Sequence, residues 1–183
     1  MSSSRAYDPA VNTVLNNRYQ KTISLLQKHV DPGSTLLDIG APNPLSEHMV
    51  KLGYHVSNTN GDLDESPEIA NKPADAATAF EVLEHLVSPM PLLRSIQAKT
   101  LVATVPLRLW FAPAYRKIED PWDWHYHEFE DWQFDWLLEK AGWEVVHREK
   151  WTSPTGWLGF RPILRSFTPR YYAVVARRSS PEA

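Results

Sequence analysis

A short apolar run from Thr35 to Ile39 is closed by Gly40 and has the pattern of a buried strand. Runs of about four to eight apolar residues between turn-forming residues are typical of strands inside a parallel sheet. Asn43 and Pro44 follow as a helix N-cap and a first helical residue, and apolar residues then recur at helical spacing. A buried strand, a tight turn and a helix in this order favour folds in which helices cover a parallel sheet.

The same alternation of strands and helices continues along the chain. Asp8 is the N-cap of a predicted first helix, which Asp31-Pro32-Gly33 ends. The other predicted helices are Pro89–Ala98 and Asp131–Ala141, and the second of these has an apolar face of Trp132, Trp136 and Leu137. The other predicted strands are Tyr54–Thr59, Ala76–Phe80, Leu101–Val105, Trp143–Arg148 and Tyr171–Ala176. Asn60–Pro73 is predicted to be a loop, and Glu81–Val87 a helical turn. The pattern predicts an α/β fold with a mostly parallel central sheet and helices on both faces.

Length and composition favour a single domain that covers residues 1–183. A chain of 183 residues, 43% of them apolar, can bury one core and is short for two domains. Residues 1–7 and 179–183 are polar and are predicted to be tails. Residues 107–128 combine aromatic residues and prolines without a clear period, and we expect this excursion to cap a substrate.

Charge and cysteine content narrow the range of partners. The 19 basic and 22 acidic residues give a net charge of −3, so no nucleic-acid partner is predicted. The chain has no cysteine, which excludes disulfides, thiolate nucleophiles and cysteine-based zinc sites. No stretch approaches the roughly 20 apolar residues of a membrane span, and the first residues lack a signal-peptide pattern. These features predict a cytoplasmic protein without a membrane span and leave its oligomeric state open.

Several stretches occur in an order that resembles the class I S-adenosylmethionine-dependent methyltransferases. They are Leu36–Gly40, Gly53–Val56, Ala79–Leu86 with the letters AFEVLEHL, His125–Phe129 and Leu137–Trp143. The resemblance covers roughly residues 33–178 and lies in the order of motifs. It implies a Rossmann-like methyltransferase fold with an antiparallel C-terminal strand.

The resemblance also implies that the chain binds S-adenosylmethionine along the carboxyl edge of the sheet. The implied cofactor-binding residues are Asp38, Gly40, Ala41, Asn60, Asp62, Phe80 and Glu81. Asp38 and Gly40 would hold the methionine end of the cofactor, and Asn60 with the following acids would contact its ribose or adenine. The alternative is that these residues are ordinary turn formers and a solvated acidic loop.

Three features depart from the family pattern. The turn after the first strand keeps only its first glycine, and Pro42 and Pro44 stand where flexible glycines are expected. Asn60 occupies the position where the family often has an acidic residue that grips both ribose hydroxyls. Only 39 residues separate Gly40 from Phe80, so a helix and a strand of larger members are predicted to be replaced by loop.

Four residues are candidates for contact with the methyl acceptor: Glu81, His85, His125 and His127. A general base is needed only if the acceptor must lose a proton. Alternatively, Glu81 and Glu84 are a carboxylate pair at a helix start and His85 is a structural histidine. In an extended segment His125 and His127 would share a face, and with His85 or Glu128 they could bind a metal or act as a base. No further clear ligand accompanies them, so no metal site is predicted.

The acceptor is predicted to be a small or medium-sized molecule. Its pocket would be apolar or aromatic if it is formed by Trp110, Trp122, Trp124 and Tyr126, whereas packing of these rings over the core is the alternative. The predicted function is methyl transfer from S-adenosylmethionine, and the rival is a non-catalytic methyltransferase-like binding partner or scaffold. A dinucleotide-dependent enzyme is disfavoured because the chain has no G-x-G-x-x-G motif.

Overall fold

The computed structural model describes residues 9–115, 119–153 and 160–179. The helices are α1 Pro9–His29, α2 Pro44–Lys51, α3 Pro89–Ser95, α4 Asp131–Lys140 and α5 Phe160–Phe167; the strands are β1 Thr35–Asp38, β2 His55–Asn58, β3 Ala76–Phe80, β4 Thr100–Pro106, β5 Trp143–Thr152 and β6 Pro169–Arg178. Short 3₁₀ turns lie at Pro67–Ala70, Leu83–His85 and Pro121–Asp123. The predicted N-terminal tail, 1–7, lies outside the described residues, as do 180–183 of the predicted C-terminal tail.

Within the described residues, six strands form one sheet in the order β2-β1-β3-β4-β6-β5. β2, β1, β3 and β4 are parallel, and β6 runs antiparallel between β4 and β5. This topology confirms the predicted α/β fold with a mostly parallel sheet and an antiparallel C-terminal strand. The chain moves from β1 to β2 on one side and then crosses to β3 on the other, so the strand order switches between β1 and β3.

Helices cover both faces of the sheet because successive strand residues point to opposite faces. In β1, Leu36 belongs to the core cluster that contains Leu25 of α1 and Met49 of α2. Leu37 belongs to the opposite cluster, which contains Phe134 of α4. Burial of each such side chain contributes about 1.5–3 kcal/mol, so both clusters hold the helices on the sheet.

Helix α4 has almost its predicted bounds, and Leu137 packs against the core as predicted, but the two tryptophans of the predicted face do not. Trp132 and Trp136 are 48% and 64% exposed, and their ring centroids are 4.7 Å apart. Phe134 and Leu138 are fully buried, and the Phe134 ring lies 6.2 Å from that of Tyr172 in β6. The prediction was wrong because both pairs have helical i, i+4 spacing, and only packing against the hairpin selects between them.

The last hairpin is longer than predicted. β5 is an edge strand in which exposed and partly buried residues alternate, so no apolar run marks where it ends. Helix α5 was not predicted at all. Its apolar residues Phe160, Ile163, Leu164 and Phe167 recur at helical spacing, but the segment is only eight residues long, and in the structure Phe160, Ile163 and Phe167 are exposed.

The segment between β2 and β3 is reduced, as predicted. In this fully described part of the chain it contains a 3₁₀ turn, Pro67–Ala70, and no further strand, which leaves β2 at the edge of the sheet. β2 is also shorter than the predicted Tyr54–Thr59. None of the described helices is long and apolar enough to cross a membrane.

Candidate functional site

Asp38 ends β1 at the point where the strand order switches, and only 3% of its surface is exposed. Its carboxylate accepts hydrogen bonds from Thr78 Oγ1 at 2.6 Å and from Asn58 Nδ2 at 3.0 Å. Burial raises the pKa of Asp38 to about 6, although the two hydrogen bonds act in the opposite direction. The neighbouring strands β2 and β3 therefore fix this carboxyl group in place.

The turn after β1 combines one glycine with one helix cap. Gly40 has a φ of +114°, which L side chains rarely adopt, and its N–H donates to Thr59 Oγ1 at 2.7 Å. Asn43 Oδ1 accepts from the N–H groups of Leu45 and Ser46 at 2.9 and 3.1 Å. Because this cap satisfies the first N–H groups of α2, the chain can enter the helix without a second glycine.

A cavity of about 180 Å³ lies where β1 and β3 end, between the sheet and α1. The predicted cofactor residues that line it are Asp38, Phe80 and Glu81; those that do not are Gly40, Ala41, Asn60 and Asp62. The second group lies on the turns after β1 and β2, where all but Gly40 are exposed. The structure thus divides the predicted set into a group at the cavity and a group along the turns.

Arg18 of α1 also lines the cavity, and the sequence analysis missed it. Arg18 Nη1 lies 3.1 Å from Glu81 Oε2, and the guanidinium carbon is 5.4 Å from the ring centre of Tyr171. One signal was available: Arg18 lies two helical turns before the buried Leu25 and Leu26, on the same helix face. A cation on a face that packs against the sheet needs a partner, and here the partner is Glu81.

Glu81 follows β3 with a φ of +56°, a conformation that is uncommon for residues with a Cβ atom. Its N–H donates to the Thr104 carbonyl at 2.9 Å, and its carboxylate pairs with Arg18. Burial raises the pKa of Glu81, while Arg18 acts in the opposite direction. Backbone strain of this kind persists where surrounding contacts enforce it, and it occurs most often at functional sites.

A second group of polar side chains joins the 3₁₀ turn that contains Glu84 and His85 to the loop that contains His125. Glu84 is buried, and one nitrogen or carboxylate oxygen from each of the three residues lies within 4.8 Å of the others. His85 Nδ1 is 2.9 Å from the Trp124 carbonyl oxygen, and the rings of His85 and His125 meet edge to face at 4.7 Å. Burial lowers the pKa of His125 to about 4, so this imidazole is neutral near pH 7. We call these three residues the Glu84 cluster.

His127 does not belong to the Glu84 cluster. Its Nε2 lies 3.2 Å from the Val87 carbonyl oxygen, and its ring stacks on Phe129 at 5.4 Å. The chain between residues 124 and 127 is irregular, so His125 and His127 do not share a face as they would in an extended segment. The contacts of His127 are those of a histidine that positions the loop.

The described aromatic residues of the 107–128 excursion do not pack over the core, and the acceptor pocket that they would form stays a prediction. Trp110, Trp124 and Tyr126 are exposed, and the side chain of Trp122 lies outside the described residues. Tyr115 packs on His125 instead, with ring centroids 4.3 Å apart. The excursion therefore contributes an aromatic ring to the Glu84 cluster.

No protein-family model and no curated protein sequence matches the chain. Solved structures, however, match most of its length. A protein proposed to be a methyltransferase, solved with the Haloferax volcanii Trm112 methyltransferase activator, has a TM-score of 0.64 at 13% identity over 95% of both chains. A methyltransferase dependent on S-adenosylmethionine from Methanosarcina mazei has a TM-score of 0.59 at 13% identity over 85% of this chain and 97% of that chain. Magnesium protoporphyrin IX methyltransferase from Synechocystis, solved with bound S-adenosylmethionine, has a TM-score of 0.56 at 14% identity over 97% of this chain and 87% of that chain.

The chain has the fold of the class I S-adenosylmethionine-dependent methyltransferases. In this methyltransferase fold, the cavity lies at the switch between β1 and β3, and two members of the Glu84 cluster, Glu84 and His85, follow β3 directly. Both features are therefore on the edge of the sheet at which open α/β folds bind ligands.

Proposed function

We propose that this protein transfers a methyl group from S-adenosylmethionine to a small or medium-sized acceptor. The observation that carries the proposal is the cavity at the ends of β1 and β3, where the strand order switches. Ligands of open α/β sheets bind at this place. The buried Asp38 and the pair of Arg18 with Glu81 provide charges of both signs there.

The charges at the cavity match the methionine end of the cofactor, which carries an ammonium, a carboxylate and a sulfonium group. Asp38 and Glu81 stabilise the two cationic groups, and Arg18 forms a charge-assisted hydrogen bond to the carboxylate. With about 180 Å³, the cavity is smaller than the roughly 300–1,000 Å³ of typical ligand sites. We therefore place only the methionine end inside it.

The nucleoside end of the cofactor extends over the exposed turns after β1 and β2. Ala41 and Asn60 lie on these turns, and the Asn60 amide can hydrogen-bond a ribose hydroxyl. Asp62 Oδ1 accepts from the N–H groups of Asp64 and Glu65 at 2.9 and 3.3 Å, so Asp62 also orders the second turn. This placement uses both groups of predicted cofactor residues.

The bound cofactor supplies an activated methyl group, so the main task of the protein is to align the acceptor. We place the acceptor beside Glu81 and His85, which follow β3, and beside His125, which the loop after β4 brings against His85. His125 is neutral near pH 7 and acts as a hydrogen-bond partner for the acceptor, since its pKa is lowered to about 4. His127 holds the loop that carries His125, and Tyr115 covers the His125 ring.

Calorimetric titration with S-adenosylmethionine and S-adenosylhomocysteine tests the proposal. The wild-type protein is expected to bind both in the micromolar range. Gly40→Val is expected to weaken binding by at least about tenfold, roughly 1.4 kcal/mol, because valine disfavours the left-handed backbone of the turn. Asp38→Ala removes the carboxylate and is expected to weaken binding to a similar degree.

Gly53→Val is the matched control for the glycine variant. Gly53 also has a positive φ, +94°, with open space around it, but it precedes β2 and lies at the opposite end of the strands. Its substitution carries the same backbone strain and is expected to leave cofactor binding within about twofold. Absence of binding by folded wild-type protein contradicts the proposal, and equal losses in both glycine variants contradict the assignment of Gly40.

The second candidate function is that of a non-catalytic methyltransferase-like protein that serves as a binding partner or scaffold. The single glycine in the turn after β1 and the amide of Asn60 in place of a carboxylate favour it. A folded wild-type protein that binds neither cofactor form would support this function. A cytoplasmic location and the lack of a nucleic-acid partner stay predictions.

A further inference from the structure

The loop after the 3₁₀ turn Pro121–Asp123 folds across the turn that contains Glu84. The Glu84 carbonyl oxygen accepts hydrogen bonds from the N–H groups of Tyr126 at 2.8 Å and His127 at 3.2 Å. These backbone bonds fix the loop that carries His125 against Glu84. Two segments distant in sequence thus bring together one carboxylate and two imidazoles.

His85 is oriented as metal-binding histidines usually are. Its Nδ1 lies 2.9 Å from the Trp124 carbonyl oxygen, and since a carbonyl can only accept, Nδ1 carries the proton. In the neutral ring, Nε2 then has a free lone pair, and it lies 3.8 Å from Glu84 Oε1. Two lone pairs at this distance repel each other unless a proton or a metal ion lies between them. A backbone carbonyl that fixes the tautomer is the usual partner of a histidine ligand.

Two further atoms of the Glu84 cluster are buried and make no hydrogen bond to the described residues: Glu84 Oε2 and His125 Nδ1. Buried polar atoms without a partner are rare, and an ion is one of the explanations for them. In the contacts described, the neighbouring arginines do not provide a cation for these two atoms. Arg18 pairs with Glu81, and Arg170 donates to a backbone carbonyl at 2.6 Å.

We propose that Glu84, His85 and His125 bind a divalent transition-metal ion. Two imidazoles and a carboxylate suit Zn²⁺ and its first-row neighbours better than Mg²⁺ or Ca²⁺, which prefer oxygen ligands. Ligand atoms that each lie about 2.1 Å from one zinc ion are at most roughly 4.2 Å apart. The candidate ligand atoms of the three residues lie within 4.8 Å of one another, so small side-chain rotations bring them to binding distance. Three protein ligands leave a fourth position open.

No metal site was predicted from the sequence, because no clear further ligand accompanies His125 and His127 in it. The structure turns Glu84 toward the histidines. The inference does not rest on the methyltransferase proposal, since none of the three ligands lines the cavity that we assign to the cofactor. If both proposals hold, an oxygen or nitrogen of the acceptor is the ligand that we expect in the open position.

The test uses the full chain, without an affinity tag and dialysed against a chelator. Zn²⁺ and Co²⁺ are titrated separately by calorimetry in the absence of S-adenosylmethionine, and we expect one ion per chain with micromolar or tighter affinity. Mg²⁺ is expected to bind at least about 100-fold more weakly. With Co²⁺ we also expect visible absorption bands of a low-coordinate site, and Zn²⁺ should shift the imidazole ¹⁵N resonances of His85 and His125.

Glu84→Gln and His125→Gln each remove a ligand with little change in volume, and each is expected to weaken Zn²⁺ binding by at least about tenfold. His55→Gln is the matched control, because His55 is an exposed histidine at the first residue of β2, at the opposite end of the strands from the Glu84 cluster; its Zn²⁺ affinity should stay within about twofold. If a variant fails to fold, the Co²⁺ spectrum and the ¹⁵N shifts of the wild type still decide. Millimolar or absent binding by the wild type, shifts confined to other histidines, or equal affinity in both folded ligand variants overturns the proposal.

Discussion

Asp38 is the residue at which burial and charge oppose each other most directly. Its pKa in the folded protein is about 6, compared with 3.8 for an exposed aspartate, and burial is the largest cause. The folded state therefore binds a proton more tightly than the unfolded state. The stability that Asp38 contributes is fully present below pH 3.8 and is lost as the pH rises through 6.

The Asp38→Asn variant isolates this effect because it cannot ionise. Between about pH 4 and pH 8, the free energy of unfolding of the wild type is expected to fall by roughly 2 kcal/mol relative to that of Asp38→Asn. Urea unfolding of both proteins without cofactor, at a series of pH values, measures the difference. A difference that does not change with pH contradicts a raised pKa of Asp38 in the folded protein.

The ion pair between Arg18 and Glu81 supports the cavity from two distant segments. Arg18→Met leaves the Glu81 carboxylate largely buried and without its partner, so we expect a loss of about 2–3 kcal/mol in the free energy of unfolding. Adding Glu81→Gln removes the uncompensated charge and should restore at least about half of the loss. Denaturant unfolding of the wild type, both single variants and the double variant measures the coupling, and strictly additive effects contradict a pair of this kind.

At the scale of elements, α4 shows how packing selects one of two apolar faces. Phe134 is fully buried against Tyr172, whereas Trp136 is exposed. Phe134→Ala is expected to destabilise the protein by about 3–5 kcal/mol, because it opens a cavity in the core. Trp136→Ala is expected to change stability by less than about 0.5 kcal/mol. Chemical denaturation of both variants checks the assignment. A larger loss in the free energy of unfolding of Trp136→Ala would contradict it and favour the face that was predicted from the sequence.

The interior strands of the sheet were predictable because each of them is a short apolar run. β3 has its predicted bounds, and β1 and β4 differ from them by one residue at each end or fewer. The final hairpin and α5 were less predictable. β5 has a solvated face, so no apolar run marks its end, and α5 is only eight residues long, so its helical spacing of apolar residues is a short signal.

At the scale of the whole molecule, the order of elements predicted where the candidate site lies. Asp38 ends β1 and Glu81 follows β3, and both strands belong to the parallel part of the sheet. A correct prediction of the strands was therefore enough to place both residues on one edge. Arg18 and His125 reach that region from α1 and from an irregular loop. Their positions depend on tertiary contacts, and local sequence patterns do not contain these contacts.

A crystal structure with bound S-adenosylhomocysteine tests the central claim, cofactor binding at the switch between β1 and β3, most directly. The account predicts that the homocysteine end occupies the cavity, with its carboxylate at Arg18 and its amino group near Asp38 or Glu81. It also predicts that the adenosine extends over Ala41 and Asn60. A ligand bound elsewhere on the protein, or crystals that contain none at saturating concentration, would contradict the account.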